Sequence, residues 1–356
     1  MLPAEVLSGI VAAMDILTQG LLGGVLAQAV ARPQEKKIAT LAGLFAGLLA
    51  DLDILIRSAE DPLLTIEYHR HFTHSLVFIP LGAAIAALLL WPLLRRHLPA
   101  KRLYLFCLAG FSLSGVLDAL TSYGTMLFWP FSEQRIAFNL MPVIEPFFTL
   151  ILLLSLILGL RMSHRPVALV GLLLCACYIG VAFVQQQRAL ETEQLLGDER
   201  GHEPRRLIVK PTLGNLLLWR AVYLHEDQIY VDAVRVGLLA ETRVYPGQSV
   251  PLFRLSEQLP TLEPGSVLAK DIRRFTRFSE GYVARDPKQP RVLGDIRYSM
   301  LPNSVRPLWG IVIDPGAPQA HVDYRFFRDH TPALRQNFMA MLRGDCTAPE
   351  CQSGPD

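Results

Sequence analysis

Asp51 and Asp53, with one residue between them, are followed by His69, His71 and His74, so these two carboxylates and three imidazoles lie within 24 residues of chain. Carboxylates and neutral imidazoles are the usual ligands of a divalent transition metal such as zinc. A set that leaves one coordination position open lets the ion acidify water for hydrolysis. Asp-x-Asp alone is a weak signal that arises by chance and at helix C-termini; joined to His-x4-His at the edge of an apolar segment it is more specific. Asp118 extends the set. Ser114, Asp118 and Ser122 recur every fourth residue and share one helix face, with Thr121 beside them. That face is either a hydrogen-bonded seam between helices or one on which Asp118 binds or orients a ligand.

Other ionisable groups have plainer readings as well. His71 lies between the outer histidines and is expected to be solvated or aimed elsewhere, leaving His69 and His74 as ligands. Glu145 precedes Pro146, and an N-cap acceptor followed by proline explains that pair without chemistry. Thr73 or Ser75 fits a cap in the same way, and Asp15, near Thr18 and Gln19, fits a helix start at the interface. Arg135 in PFSEQR suits either an acid partner or an anionic substrate group such as phosphate.

These residues need a membrane to position them. Apolar runs at about 10–30, 38–56, 75–94, 103–121, 144–160 and 166–184 are each near the length that crosses a bilayer core, roughly 20 residues. The first contains Asp15, Gln19 and several glycines and suits a tightly packed or a re-entrant helix. Loops after the first, third and fifth runs carry nine Lys and Arg, against three in the opposite loops. This asymmetry puts the richer set in the cytoplasm and both chain ends outside, in the periplasm of a bacterium. The acids and histidines, which did not enter the charge count, then gather at the outward side, where a single polar pocket accommodates them. Met1 to Ala13 has no Lys or Arg before its apolar stretch and includes Glu5, which predicts that the first segment is retained.

The composition agrees with a divided chain. Of 356 residues 51% are hydrophobic, and the excess lies before residue 184. The formal net charge of +2, with no basic stripe, argues against a nucleic-acid partner. Beyond a polar linker or exit helix at 185–205, the pattern turns strand-like. The segments Arg206–Lys210, Leu216–Leu224, Gln228–Val236, Val292–Tyr298, Trp309–Asp314 and His321–Phe327 predict strands. Ser266–Phe278 predicts a helix with Val267, Ile272 and Phe275 toward a core. The expected architecture is a polytopic α-helical membrane domain of about six transmembrane helices over 1–184, a small mostly β soluble domain over 206–345, and a tail over 346–356. Cys107, Cys175 and Cys177 lie in apolar segments as packing residues; Cys346 and Cys351 are the one pair placed for a disulfide.

From MDILTQGLLGG (Met14 to Gly24) through ADLD, HRHFTHS, LDALTSYGTMLFWPFSEQR (Leu117 to Arg135) and VIEPFFTL (Val143 to Leu150), the chain resembles the YdjM-like family of bacterial inner-membrane proteins, described as membrane-bound metal-dependent hydrolases. PTLGNLLLWRAVY (Pro211 to Tyr223) resembles the soluble extension of longer members. The resemblance implies that Asp51, Asp53, His69, His74 and Asp118 bind one or two divalent ions, zinc or manganese first among them. Asp118 would then act in catalysis, with Arg135 near a lipid-linked or phosphoester substrate at the outer leaflet. The chain departs from the family pattern in carrying Thr18-Gln19 for Thr-His, Ser114 for a histidine, and Glu145-Pro146 for Asp-Pro. Those departures keep open a non-catalytic relative whose soluble domain holds a protein partner. A transporter fits less well, because the ionisable groups gather near one face.

Overall fold

The computed structural model describes residues 4–162, 165–238, 242–329 and 331–345. Cys346, Cys351 and the side chain of Asp15 lie outside the described part. The chain divides into two compact units, Met1–Ile56 with Tyr68–Phe183, and Arg57–Glu67 with Val184–Asp356.

The first unit is helical. Its elements are α1 (Ala4–Val30), α2 (Lys36–Leu49), a 3-10 helix (Ala50–Leu55), α3 (Leu64–Tyr68, shared with the second unit), α4 (Ile79–Leu94), α5 (Ala100–Phe111), α6 (Ser114–Leu120), α7 (Pro146–Met162) and α8 (Arg165–Glu199). Among the described residues four segments are long and apolar enough to cross a membrane: Pro33–Leu55, Leu76–Leu94, Ala100–Leu120 and Pro166–Glu199. Ile16–Val30 and Pro146–Met162 are shorter apolar helices.

Apolar side chains gain little by leaving lipid for a protein interior, so close packing of small residues has to hold such helices together. The structure follows that rule. A side-chain carbon added to Gly23 of α1 would strike the carbonyls of Gly43 in α2 and Gly110 in α5, so three backbones meet at one point. Buried Ala39, Ala42 and Ala46 continue the contact, with Phe106 and Phe111 filling the space beside them. Leu88 and Leu93 stay 70% and 72% exposed, as acyl-chain solvation requires.

Two expected spans are irregular where the polar residues lie. α2 tightens into the 3-10 turn that carries Asp51 and Asp53, and α5 breaks before α6 begins at Ser114. α6 ends at Leu120, so Ser122 leaves the helix face expected from its spacing, although it is buried like Ser114 and Asp118.

The second unit holds two four-stranded antiparallel sheets. One comprises β1 (Arg205–Pro211), β2 (Leu218–His225), β3 (Gln228–Arg235) and β4 (Arg243–Pro251). After the single turn α9 (Leu255–Gln258) and α10 (Val267–Phe278) comes the other, β5 (Val283–Asp286), β6 (Gln289–Asp295), β7 (Trp309–Val312) and β8 (Asp323–Phe326), followed by α11 (Pro332–Arg343). β4, β5 and α11 are additions to the elements expected from sequence. β4 contains Pro246 and Gly247, which are tolerated because it is an edge strand. α10 buries Leu268, Ile272 and Phe275, while Val267 is only half-buried.

Segment 57–67, in the connection between two apolar segments, also contributes to this unit. Leu63 and Ile66 are buried in a core with Ile272, Phe275, Val283 and Ile311. Arg274 of α10 fixes the segment by pairing with Asp61 at 2.9 Å and with Glu67 and Asp271. Residues 57–67 and the C-terminal sheets thus belong to one compact unit.

Leu63→Ala should destabilise the second unit by about 2–5 kcal/mol in denaturant melts; unchanged stability would remove Leu63 from the core. Burial raises the Asp61 carboxyl, and the Arg274 hydrogen bond and charge outweigh it, leaving the pKa below its ordinary value. A depressed carboxylate pKa stabilises the fold above the unfolded value, about 3.9, and the contribution is lost as pH falls through the folded value. Hydrogen-exchange protection in 57–67, measured against the intrinsic rate, should therefore hold down to about pH 4 and fall below it.

Candidate metal centre

Three irregularities bring the acids and imidazoles together. In an α-helix residues i and i+2 point about 160° apart, whereas the tighter 3-10 winding brings them to about 120°. Asp51 and Asp53 therefore both turn inward, 3% and 2% exposed, while Leu52 between them is 51% exposed. His74 ends a second 3-10 turn, Phe72–His74. Asp118 lies in the last turn of α6, and Gly115 one turn earlier sits so close to the His74 carbonyl that any side chain would collide with it.

Ligand atoms of Asp51, His74 and Asp118 lie within 4.8 Å of one another, and all three residues are buried. His74 Nε2 is 3.3 Å from Asp51 Oδ1 and 3.0 Å from Asp118 Oδ2. Neither approach has hydrogen-bond geometry. The other ring nitrogen has a defined role. Thr73 Oγ1 donates to Asp53 Oδ2 at 2.5 Å and lies 2.9 Å from His74 Nδ1. With the hydroxyl proton directed at Asp53, Nδ1 must be the donor to Thr73, with Asp53 Oδ2 3.2 Å away. Nε2 faces the two carboxylates, as a lone pair when the ring is neutral and as an N–H when it is protonated. Burial favours the neutral ring, but the charge of Asp118 and the contacts with Asp51 and Asp53 outweigh it and raise the His74 pKa well above its ordinary value. The pocket demands positive charge.

Asp53 and His69 stand outside this group of three. Asp53 Oδ1 is 3.0 Å from His69 Nδ1, and Oδ2 also accepts from the Arg70 backbone N–H at 2.9 Å. Asp53 thus sits behind His74 as the carboxylate that fixes its ring, the arrangement common behind metal-binding histidines. His71 packs near Tyr68, Phe72 and Trp129. Glu145 accepts the Phe147 N–H at 3.3 Å at the start of α7, a capping contact.

Arg135 donates to the carbonyls of Gly124 and His69 at 3.1 and 3.0 Å and lies 5.0 Å over the Tyr123 ring. Arg70, which the sequence offered only as a loop charge, is the larger surprise. It is 1% exposed, its Nε is 3.1 Å from Asp118 Oδ2, and its Nη1 donates to Thr121 at 3.0 Å. Its backbone is left-handed, at φ 56°, held by the Asp53 bond at the N–H and by Thr125 and Met126 at the carbonyl. The available signal was position: a cation between two histidines at a membrane boundary requires a carboxylate. Gln19 of α1 completes the set, donating to Asp118 Oδ1 at 2.9 Å and to Asp51 Oδ1 at 3.4 Å.

This donor set fits a divalent cation. Ligand atoms around a tetrahedral ion with bonds near 2.0–2.1 Å are separated by about 3.3 Å, close to the spacings at Nε2. Asp51 Oδ2 is a further buried oxygen with no hydrogen-bond partner. With neutral imidazoles, the carboxylates of Asp51, Asp53 and Asp118 have the buried guanidinium of Arg70 beside Asp118 against them, which leaves two negative charges for a proton on an imidazole or a cation to offset. Asp61, Asp271 and His321 form a second cluster, in the C-terminal unit. There Arg274 already bridges Asp61 and Asp271 and supplies the positive charge.

No curated protein and no solved structure matches the chain. A family profile does, over residues 14–189. Through that stretch, which holds every residue of this centre, the chain belongs to the YdjM inner membrane protein family.

Proposed function

We propose that this inner-membrane protein is a metal-dependent hydrolase whose ion is held by Asp51, His74 and Asp118. The observation that carries the proposal is Nε2 of His74, buried against two carboxylates without hydrogen-bond geometry and at distances suited to ligands sharing one cation. A bound divalent ion would supply Lewis acidity and make water nucleophilic near neutral pH. Asp53 and Thr73 hold the His74 ring in the tautomer that binds. Arg70 ties Asp118 down and, with Arg135 across the Tyr123 ring, places two permanent positive charges near the ligands. Those charges favour an anionic phosphoester, and a site at the end of membrane helices favours one attached to a lipid. The Lys and Arg asymmetry of the loops supports an outward-facing site, with the C-terminal unit in the periplasm beside segment 57–67.

A second reading has an observation of its own. Gln19 and Arg70 already occupy both oxygens of Asp118, as they would in a polar lock that holds helices together without metal, in a binding or structural protein. Metal content separates the two. Protein purified without chelator should hold near-stoichiometric transition metal by plasma mass spectrometry, and His74→Ala should hold none while eluting as the same folded species. Absence of metal from the wild type would favour the lock.

Asp53→Asn should weaken metal binding by about 10–100-fold without abolishing it, as loss of an orienting carboxylate does. A complete loss equal to that of His74→Ala would make Asp53 a direct ligand instead. An enzymatic reporter fused after Phe183 should be active in the periplasm; cytoplasmic activity would invert the orientation.

A further inference from the structure

We infer that Gln19 is a direct ligand of this centre through its side-chain carbonyl and that it biases the site toward manganese-type rather than zinc-type ions. The inference rests on the metal-dependent reading above. Gln19 is 1% exposed, and its amide nitrogen bridges Asp118 Oδ1 and Asp51 Oδ1, belonging to the two carboxylates that flank His74 Nε2. The amide therefore already lies at the point where the ligand atoms converge. Its Oε1 is buried and has no hydrogen-bond partner. The two ends of a primary amide differ little in shape, and a half-turn about the terminal torsion exchanges them.

The charge at the centre decides which end faces inward. Two carboxylates without a cation attract the NH2 group, the orientation seen here. A cation between them repels that group and attracts the carbonyl. The half-turn breaks no hydrogen bond at Oε1, because that atom makes none. Gln19 then joins Asp51, Asp118 and His74, giving three oxygen donors and one imidazole nitrogen. Oxygen-rich sets suit manganese and magnesium, whereas each added imidazole moves preference toward zinc.

The test uses the full-length chain in detergent, dialysed against equal manganese and zinc and assayed by plasma mass spectrometry, with manganese affinity read separately by electron paramagnetic resonance. Gln19→Leu should weaken manganese binding by at least about 10-fold. Gln19→His should raise the bound zinc-to-manganese ratio by a similar factor. Gln19→Glu discriminates most sharply. A ligand role predicts that manganese binding is kept or tightened, since the oxygen donor stays; a role as hydrogen-bond donor predicts that this variant is the most damaged, since it adds a third carboxylate. If His74→Ala is metal-free while Gln19→Leu and Gln19→His match the wild type, Gln19 is not a ligand and the centre stands without it. A wild type as metal-free as His74→Ala overturns the centre and this inference together. Should Gln19→Leu fail to fold, the ratio in Gln19→His and the affinity of Gln19→Glu decide.

Discussion

The imidazole of His74 faces two carboxylates at a place where water cannot screen them, and much of the surrounding architecture answers that constraint. Like charges and lone pairs in a low-dielectric setting are tolerated only when something holds them there and something offsets them. Thr73 and Asp53 do the holding, by fixing the ring from behind. Arg70 offsets part of the charge, and its own left-handed backbone is held by Asp53, Thr125 and Met126, so that one guanidinium joins the histidine loop to α6. Gln19 adds the tie to α1.

Bringing five polar side chains to one point requires helices that approach closely and then stop. The contact of Gly23, Gly43 and Gly110 draws α1, α2 and α5 together deep in the bundle. The 3-10 turn after α2 and the break between α5 and α6 then release the chain from regular winding where Asp51, Asp53 and Asp118 have to turn inward. Regular helices over the same residues would put Asp51 and Asp53 on nearly opposite faces. The irregular backbone lies against protein, where its polar groups find partners, as non-helical segments at membrane depth must.

The site was partly legible in the sequence because an ionisable residue in an apolar run always needs a reason. That argument located Asp51, His74 and Asp118, and it favoured a capping role for Glu145. Spacing could not separate Asp53 and His69 from the nearer group, since the separation depends on which carboxylate faces which ring nitrogen. Arg70 was hidden by its place in a loop, where an arginine normally reports orientation. Ser122 followed a helical period past the point at which the helix ends. In the C-terminal unit, β2, β3 and α10 announced themselves by composition and period, whereas β4 was masked by Pro246 and Gly247, which only an edge strand accepts. Segment 57–67 carried no period at all; Leu63 and Ile66 look like ordinary loop residues until the core they enter is seen.

That segment imposes an order on synthesis. Residues 57–67 leave the ribosome well over a hundred residues before the sheets whose core they complete. Through the translation of α4 to α8, Leu63 and Ile66 wait without their final neighbours. The C-terminal unit thus closes around a piece of chain delivered earlier, and the connection leading into the histidine loop is pinned only when translation is nearly finished. A chain ending before α10 would leave two apolar side chains without their core and the acids Asp61 and Glu67 without Arg274.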